Sequence, residues 1–592
     1  MGQFIKFVFA SCLGVFLAMI LMMFVGASMV GSAASSSFGK QKVSVKPNSV
    51  LEINFNEPIP EKTNNVPMDP YSFENEEVVG VHDIVKAIEK AKEDSNIKGI
   101  FLDATSASGG FASRSLIRDA LVDFKESGKF ITSYSEGYSQ SGYYMASVAD
   151  EVFVHPVGGS IDFRGFGSTV PFFKEALDKL GVKMNVYYVG KFKSATEPFR
   201  RNNMSAENRK QVKEYLNPIY EGFLEDIASS RDVSVGELKN IANNWLIQTP
   251  EDAVNYKLAD KIGYRDEVIT ALKERMGLEE DDKIKKVTIK DYAPTARSTD
   301  FSIKDKVAVI FAEGGISAGE ETAGEIKGKH YTKLIRKVRE DDKIKAIVLR
   351  VNSGGGNALV SDNIWREFKL AQKEGKPVVV SFGDVAASGG YYIGCMADRI
   401  YAQPNTITGS IGIFGMIPNA SKLLNEKLGV NFDTVKTGRF ATSINLFEDQ
   451  TSEEAAIIQK SLDRGYEIFL DRVAEGRNMT RDQVNEVAQG RVWTGEKALE
   501  LGLVDELGDL EDALAHAAEL AELENYRVAE YPRIKEPIQQ LMDKYLNPNP
   551  QDAKAAILKK ELGEFYPYYK EAQEVLNAKG PQARMPFIID FD

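Results

Sequence analysis

Residues 384–398 read Asp384-Val-Ala-Ala-Ser388-Gly389-Gly390-Tyr391-Tyr392-Ile-Gly-Cys-Met-Ala-Asp398, and residues 136–150 read Glu136-Gly-Tyr-Ser-Gln140-Ser141-Gly142-Tyr143-Tyr144-Met-Ala-Ser-Val-Ala-Asp150. Aligned on their tyrosine pairs, these are two copies of one motif, and Ser388 falls opposite Gln140. Lys193 follows Gln140 by 53 residues, inside Gly190-Lys-Phe192-Lys193-Ser194. Ala441 follows Ser388 by the same 53 residues, inside Gly438-Arg-Phe440-Ala441-Thr442. One copy carries a serine and no lysine, the other a lysine and no serine. If the copies fold alike and pack together, Ser388 and Lys193 meet in one site.

The duplication extends well beyond the motif. Ile97-Lys-Gly-Ile-Phe-Leu-Asp103 matches Ile344-Lys-Ala-Ile-Val-Leu-Arg350, and Leu258-Ala-Asp-Lys-Ile-Gly263 matches Leu503-Val-Asp-Glu-Leu-Gly508. Offsets between matched positions drift only from 245 to 248, so insertions are few. Units of this length are domains, not solenoid repeats. Within each unit, short β-branched runs alternate with helical patterns. In the second they are Val307–Phe311, Ala346–Val351 and Val378–Ser381, separated by Tyr331–Glu340 and Ser361–Glu374. In the first, Val50–Phe55, Gly99–Leu102 and Phe130–Ser133 alternate with His82–Lys92 and Ser115–Ser127. That alternation predicts an α/β fold with a parallel sheet in each unit. The expected division is residues 1–45 as anchor and linker, 46–300 as the first repeat, 301–531 as the second and 532–592 as a helical C-terminal extension.

Composition narrows the function. The chain has 592 residues, 43% of them hydrophobic, and a net charge of −13, with no strongly basic stretch. Large cores are expected, and nucleic-acid binding gains no support. Two cysteines lie far apart, at Cys12 and Cys395. Residues Phe7 to Gly39 carry no charge, and Phe7 to Val30 are mostly apolar. That run is long enough to span a bilayer and longer than the apolar core of a cleaved signal, so an uncleaved transmembrane anchor is expected. Lysines flank it on both sides, so charge alone does not orient it.

A serine hydroxyl needs a base to become a nucleophile. Histidine is the usual base, but only His82, His155, His330 and His516 occur. His155 is the one near enough to the predicted site to be a rival. Lysine serves when burial disfavours its ammonium form, and serine–lysine pairs are a known variant of the triad. The tetrahedral intermediate also needs backbone amides. The amide of Gly389 is one candidate, and the loop Asn352-Ser353-Gly354-Gly355-Gly356 offers Gly355 and Gly356 as others. Ser410, in Thr408-Gly409-Ser410-Ile411-Gly412, could accept a hydrogen bond from Lys193 and orient it. Neither a cofactor nor a metal is called for.

Ala387-Ser388-Gly-Gly-Tyr-Tyr, Thr408-Gly-Ser-Ile-Gly-Ile-Phe-Gly415 and Phe192-Lys193-Ser-Ala-Thr-Glu-Pro-Phe199 resemble the signal peptide peptidase A (protease IV) family in its long, duplicated form. The resemblance covers about residues 46–530. It implies a tandem ClpP/crotonase-like fold and a single-pass serine endopeptidase of the inner (cytoplasmic) membrane, with its catalytic domain on the periplasmic, outer face. It also implies a ring-like homo-oligomer, taken as a tetramer, that degrades signal peptides and other hydrophobic peptides. On it, Ser388 is nucleophile, Lys193 general base and Ser410 the lysine's partner. Where the family often has proline after the loop serine, this chain has Gly354, which leaves open the choice of oxyanion amide. Two rival classes are a crotonase-like acyl-CoA enzyme, which would turn over a thioester without labelling Ser388, and a non-enzymatic membrane scaffold, indifferent to Ser388→Ala.

Overall fold

Why two copies of one pattern should build two copies of one sheet is visible in the strand order. The structure, a computed structural model, describes residues 45–66, 77–297, 300–319, 323–534 and 580–585, with isolated positions at 14 and between 558 and 569. The expected N-terminal anchor and most of the helical C-terminal extension lie outside the described residues. Among the described residues, no helix is long and apolar enough to cross a membrane.

The first repeat contributes β1 (Ser49–Asn54), β2 (Ile97–Asp103), β3 (Phe130–Ser135), β4 (Glu151–Val154), β5 (Lys183–Tyr188), β6 (Lys261–Ile262) and β7 (Lys285–Thr288). The second contributes β8 (Lys306–Glu313), β9 (Ile316–Ser317), β10 (Ile326–Lys327), β11 (Ile344–Ser353), β12 (Gly355–Asn357), β13 (Val378–Ala387), β14 (Arg399–Ala402), β15 (Ile407–Gly409), β16 (Phe414–Asn419), β17 (Val492–Thr494), β18 (Glu506–Leu507) and β19 (Arg527–Tyr531). A last strand, β20 (Gln582–Arg584), belongs to the C-terminal extension.

The first sheet runs β6-β4-β3-β2-β1-β7, all parallel. The second holds β18-β14-β13-β11-β8-β19 in the matching order, also parallel, with β15 and β17 continuing from the far end of β13. The inner parallel strands β1, β2 and β3 of the first sheet and β8, β11 and β13 of the second are largely buried on both faces, as near-continuous apolar runs require, while the outermost strands β6, β7, β18 and β19 are more exposed. The repeated tyrosines explain themselves. Tyr143 donates to the carbonyl of Leu258 at 2.8 Å and Tyr391 to that of Leu503 at 2.8 Å, the same bond at aligned positions.

A third sheet joins the halves in the order β10-β9-β12-β20-β16-β5. β5 leaves the first repeat and pairs antiparallel with β16 of the second, Tyr188 opposite Phe414 through Lys183 opposite Asn419. The apolar run Val378–Ser381 understates its strand, because β13 continues through Gly383-Asp384 to Ala387. A register shift against β11 between Val351 and Ser353, and pairing of residues 385–387 with β15, carry the strand past the glycine.

Candidate active site

Ser388 closes β13 and caps helix Gly389–Gly394, its carbonyl accepting from the amide of Tyr392 at 2.8 Å. Its backbone takes φ 56° and ψ −115°, a conformation costly for a residue with a Cβ. A bond from its amide to the carbonyl of Gly409 (2.8 Å) helps hold it there. The turn aims the hydroxyl at the loop after β5.

That loop brings Lys193 from the other repeat. Lys193 Nζ lies 2.8 Å from Ser388 Oγ, 3.0 Å from Ser410 Oγ and 3.0 Å from the carbonyl oxygen of Ser410. All three residues are buried. Burial holds the lysine's pKa well below its usual value, with no charged neighbour opposing the shift. A neutral amine has two N–H groups and one lone pair. The two Ser410 oxygens can take the hydrogens, which leaves the lone pair facing the Ser388 hydroxyl.

Several residues that carried no sequence signal make this approach possible. Gly490, at φ 77°, would set a Cβ 2.6 Å from the Cβ of Lys193, and Gly190, at φ 97°, would set one 2.4 Å from the backbone of Gln489. Gln211 ties the lysine loop down, donating to the Phe192 carbonyl (3.2 Å) and Ser194 Oγ (2.7 Å) while accepting from the Val492 amide (3.3 Å). Its buried amide looks like an ordinary helix residue in sequence.

The glycines separate. The Gly355 amide donates to Ser353 Oγ at 3.1 Å, so it is already occupied. The Gly356 nitrogen lies 3.0 Å from the ideal Cβ position of Gly389, so Gly356 and Gly389 face one recess beside Ser388. The matching place in the first repeat is closed. Gln140 there accepts from the amides of Arg164 (3.1 Å) and Gly165 (2.8 Å). His155 is not brought to Lys193 or Ser388; its Nδ1 accepts from the amides of Val157 (3.2 Å) and Gly158 (3.3 Å). Ala441, aligned with Lys193, is exposed.

The peptidase family S49 model matches residues 123–279 and 370–524, once in each repeat. The chain is 39% identical over 458 residues to Protease 4 of Salmonella typhi, covering 76% of this chain and 73% of that protein. It is 36% identical over 441 residues to the chloroplastic serine protease SPPA of Arabidopsis thaliana, covering 73% of this chain and 64% of that one. Among solved structures, ClpP1 from Listeria monocytogenes aligns at 17% identity and a TM-score of 0.23, covering 35% of this chain and 94% of the other.

Proposed function

The chain belongs to peptidase family S49, in the long form that carries the domain twice, and from that premise we propose that Ser388 is its nucleophile and Lys193 its general base. The observation that carries this reading is the 2.8 Å approach of a buried Lys193 Nζ to Ser388 Oγ, with both remaining lysine contacts made to Ser410. Lys193 takes the hydroxyl proton as Ser388 Oγ attacks the peptide carbonyl. The amides of Gly356 and Gly389 receive the oxyanion, Lys193 returns the proton to the leaving amine, and water hydrolyses the acyl-enzyme by the same route. Ser410 positions the lysine. No cofactor or metal enters the reaction.

The fold would then be a tandem ClpP/crotonase-like pair. Signal peptides and other hydrophobic peptides fit as substrates, small or medium apolar residues preceding the cut. The N-terminal apolar run supports a single-pass anchor, and the resemblance supports the inner membrane with the catalytic domains on its periplasmic face. A homo-oligomer, taken as a tetramer, is supported by the second repeat's own counterpart of the lysine arm. Where β5 of the first repeat grips the next domain, residues 430–444 of the second carry Val430, Phe432, Phe440 and Ile444 exposed, and Val435 97% exposed.

The test is a serine-directed phosphonate together with a peptide-cleavage assay. Wild-type protein should be labelled at Ser388 and cleave apolar peptides. Ser388→Ala should do neither, and Lys193→Arg should be inactive because a guanidinium cannot accept the proton. Exposed Lys191, two residues away, should tolerate alanine. Substantial cleavage by Ser388→Ala or Lys193→Arg would overturn the assignment.

A further inference from the structure

Lys193 belongs to one repeat and Ser410 to the other, so their contact lasts only if the two backbones are fixed to each other. A turn of the second repeat does part of this. The Gln489 carbonyl accepts from the amide of Phe192 at 3.0 Å, and the Arg491 carbonyl accepts from the amide of Ser410 at 2.6 Å. Gly490, between them, donates to the Ile411 carbonyl at 2.8 Å. Three consecutive residues thus hold the residue before Lys193, Ser410 and the residue after Ser410. On the lysine's own chain, the bond they make precedes Lys193.

Beyond Lys193 the loop is held by a side chain of helix Ala206–Arg231. Asn208 and Gln211, three residues apart, share one face of that helix and are buried. Gln211 Nε2 is 2.7 Å from Ser194 Oγ, 3.2 Å from the Phe192 carbonyl and 3.2 Å from Asn208 Oδ1, while its Oε1 accepts from the Val492 amide at 3.3 Å. Asn208 in turn donates from Nδ2 to Glu197 Oε2 at 3.0 Å. One side chain therefore bonds both neighbours of Lys193 in the first repeat and the strand that follows the turn in the second. The charges around it are engaged elsewhere: Glu197 with Arg200 at 3.7 Å, and Glu214 with Arg491, whose guanidinium stacks on the Phe192 ring at 4.8 Å. Gln211 is thus a neutral brace, with no charge of its own to favour the ammonium form of the lysine.

We propose that Gln211 is the positioning residue of the lysine, bracing the loop so that Lys193 Nζ stays between Ser410 and Ser388, an inference that rests on the Ser388–Lys193 reading. Ser410 holds the amine, and Gln211 holds the backbone that delivers it. Without the brace the loop lifts from the turn. A displacement of about 1 Å at a reacting group costs about 100-fold in rate. Water that follows into the gap also favours the ammonium form, which cannot take a proton.

Cleavage of an apolar reporter peptide by the full chain over a pH series tests this, with rates taken per site titrated to completion by a serine-directed phosphonate. Gln211→Met keeps the bulk and removes every bond. It should lower kcat about 100-fold with KM within about threefold of wild type, and move the rise of kcat/KM to higher pH. Ser194→Ala removes the 2.7 Å bond and little volume. It should lower kcat about 10-fold and move the rise in the same direction. The double variant should be no slower than Gln211→Met alone, because both changes break one contact. A residue that only stabilised the fold would lower the melting temperature and leave kcat per site and the pH profile alone. Wild-type kcat and pH profile in folded Gln211→Met, or losses that multiply in the double variant, would overturn the brace. If Gln211→Met does not fold, Ser194→Ala decides, and a wild-type rate and profile there overturn the proposal. Lys193→Arg is assayed beside them. If it cleaves, the Ser388–Lys193 reading falls and the proposal with it. If it is inert while the Gln211 and Ser194 variants match wild type, that reading stands and the brace alone is refuted.

Discussion

In the role proposed for it, Lys193 would serve catalysis at the expense of stability. Its pKa is held below the usual 10.5 by burial. Between the lowered value and 10.5, the unfolded chain binds a proton that the folded chain does not, so this group makes stability rise with pH across that window, by about 1.4 kcal/mol per unit. Lys193→Met should therefore abolish cleavage yet raise the melting temperature at neutral pH, with the gain shrinking as pH approaches 10.5. A melting series that showed no gain, or a gain growing with pH, would contradict the buried neutral amine. By the same sign, kcat/KM of the wild type should climb with pH through the lowered pKa. Ser410 permits a finer distinction. Its carbonyl holds Lys193 as closely as its hydroxyl does, both at 3.0 Å. Ser410→Ala should cost only about 10-fold in kcat, against about 10,000-fold or more for Ser388→Ala.

Between elements, the two repeats are fastened by charges that neither could bury alone. Asp384, on β13 just before Ser388, accepts from the amides of Gly110 (3.1 Å) and Ser113 (2.8 Å) and from Ser113 Oγ (2.8 Å). It thereby caps helix Phe111–Lys125 of the other repeat, whose own N-cap glycine offers no side chain. The segment after β1 reaches further, placing Glu61 against Arg350 of β11, Oε2 to Nε 2.8 Å, with both side chains buried. Burial raises the Glu61 pKa, but Arg350 and His82 outweigh it and hold the carboxyl down to about 2. Arg350 also donates to Ser381 Oγ (2.7 Å) and the Phe382 carbonyl (2.7 Å), at the base of the strand that ends in Ser388. Glu61→Ala strands a buried guanidinium and should cost about 3–5 kcal/mol in denaturant unfolding, while Glu61→Leu with Arg350→Met should recover much of it. Single-variant losses that simply add in the double variant would show that the pair is not coupled.

For the whole molecule, the proposed active site is an interface. Ser388 and Lys193 come from different repeats, joined by the β5–β16 pairing, the Asp384 cap and the Glu61–Arg350 pair. Residues 46–300 and 301–592 made separately should each be inactive, and mixing them should restore part of the cleavage, since the linker chiefly raises effective concentration. Activity in either half alone would refute a site built between repeats. Ala441→Lys in a Lys193→Ala background should not rescue, because position 441 is exposed whereas Ser388 is buried.

The duplication, the alternation of strands with helices, and the division of serine and lysine between the copies were all legible in the sequence. Periodicity and repetition are local or self-referring patterns, and each strand run carries its own apolar signature. The extension of β13 to Ala387 was not legible, because it depends on a register shift and on pairing with β15. Nor was the choice among loop glycines. Gly355 and Gly356 are chemically alike, and only the folded loop puts the Gly355 amide on Ser353. The roles of Gln211 and Gly490 were equally hidden, since each depends on a partner hundreds of residues away. The placement of β20 is the clearest case. Gln582-Ala583-Arg584 carries no strand signature of its own, and its conformation is set by unpaired main-chain groups of β12 and β16 on either side. Residue patterning determined which elements form and what chemistry they carry. Long-range backbone pairing, which no local pattern encodes, decided which of them meet at Ser388.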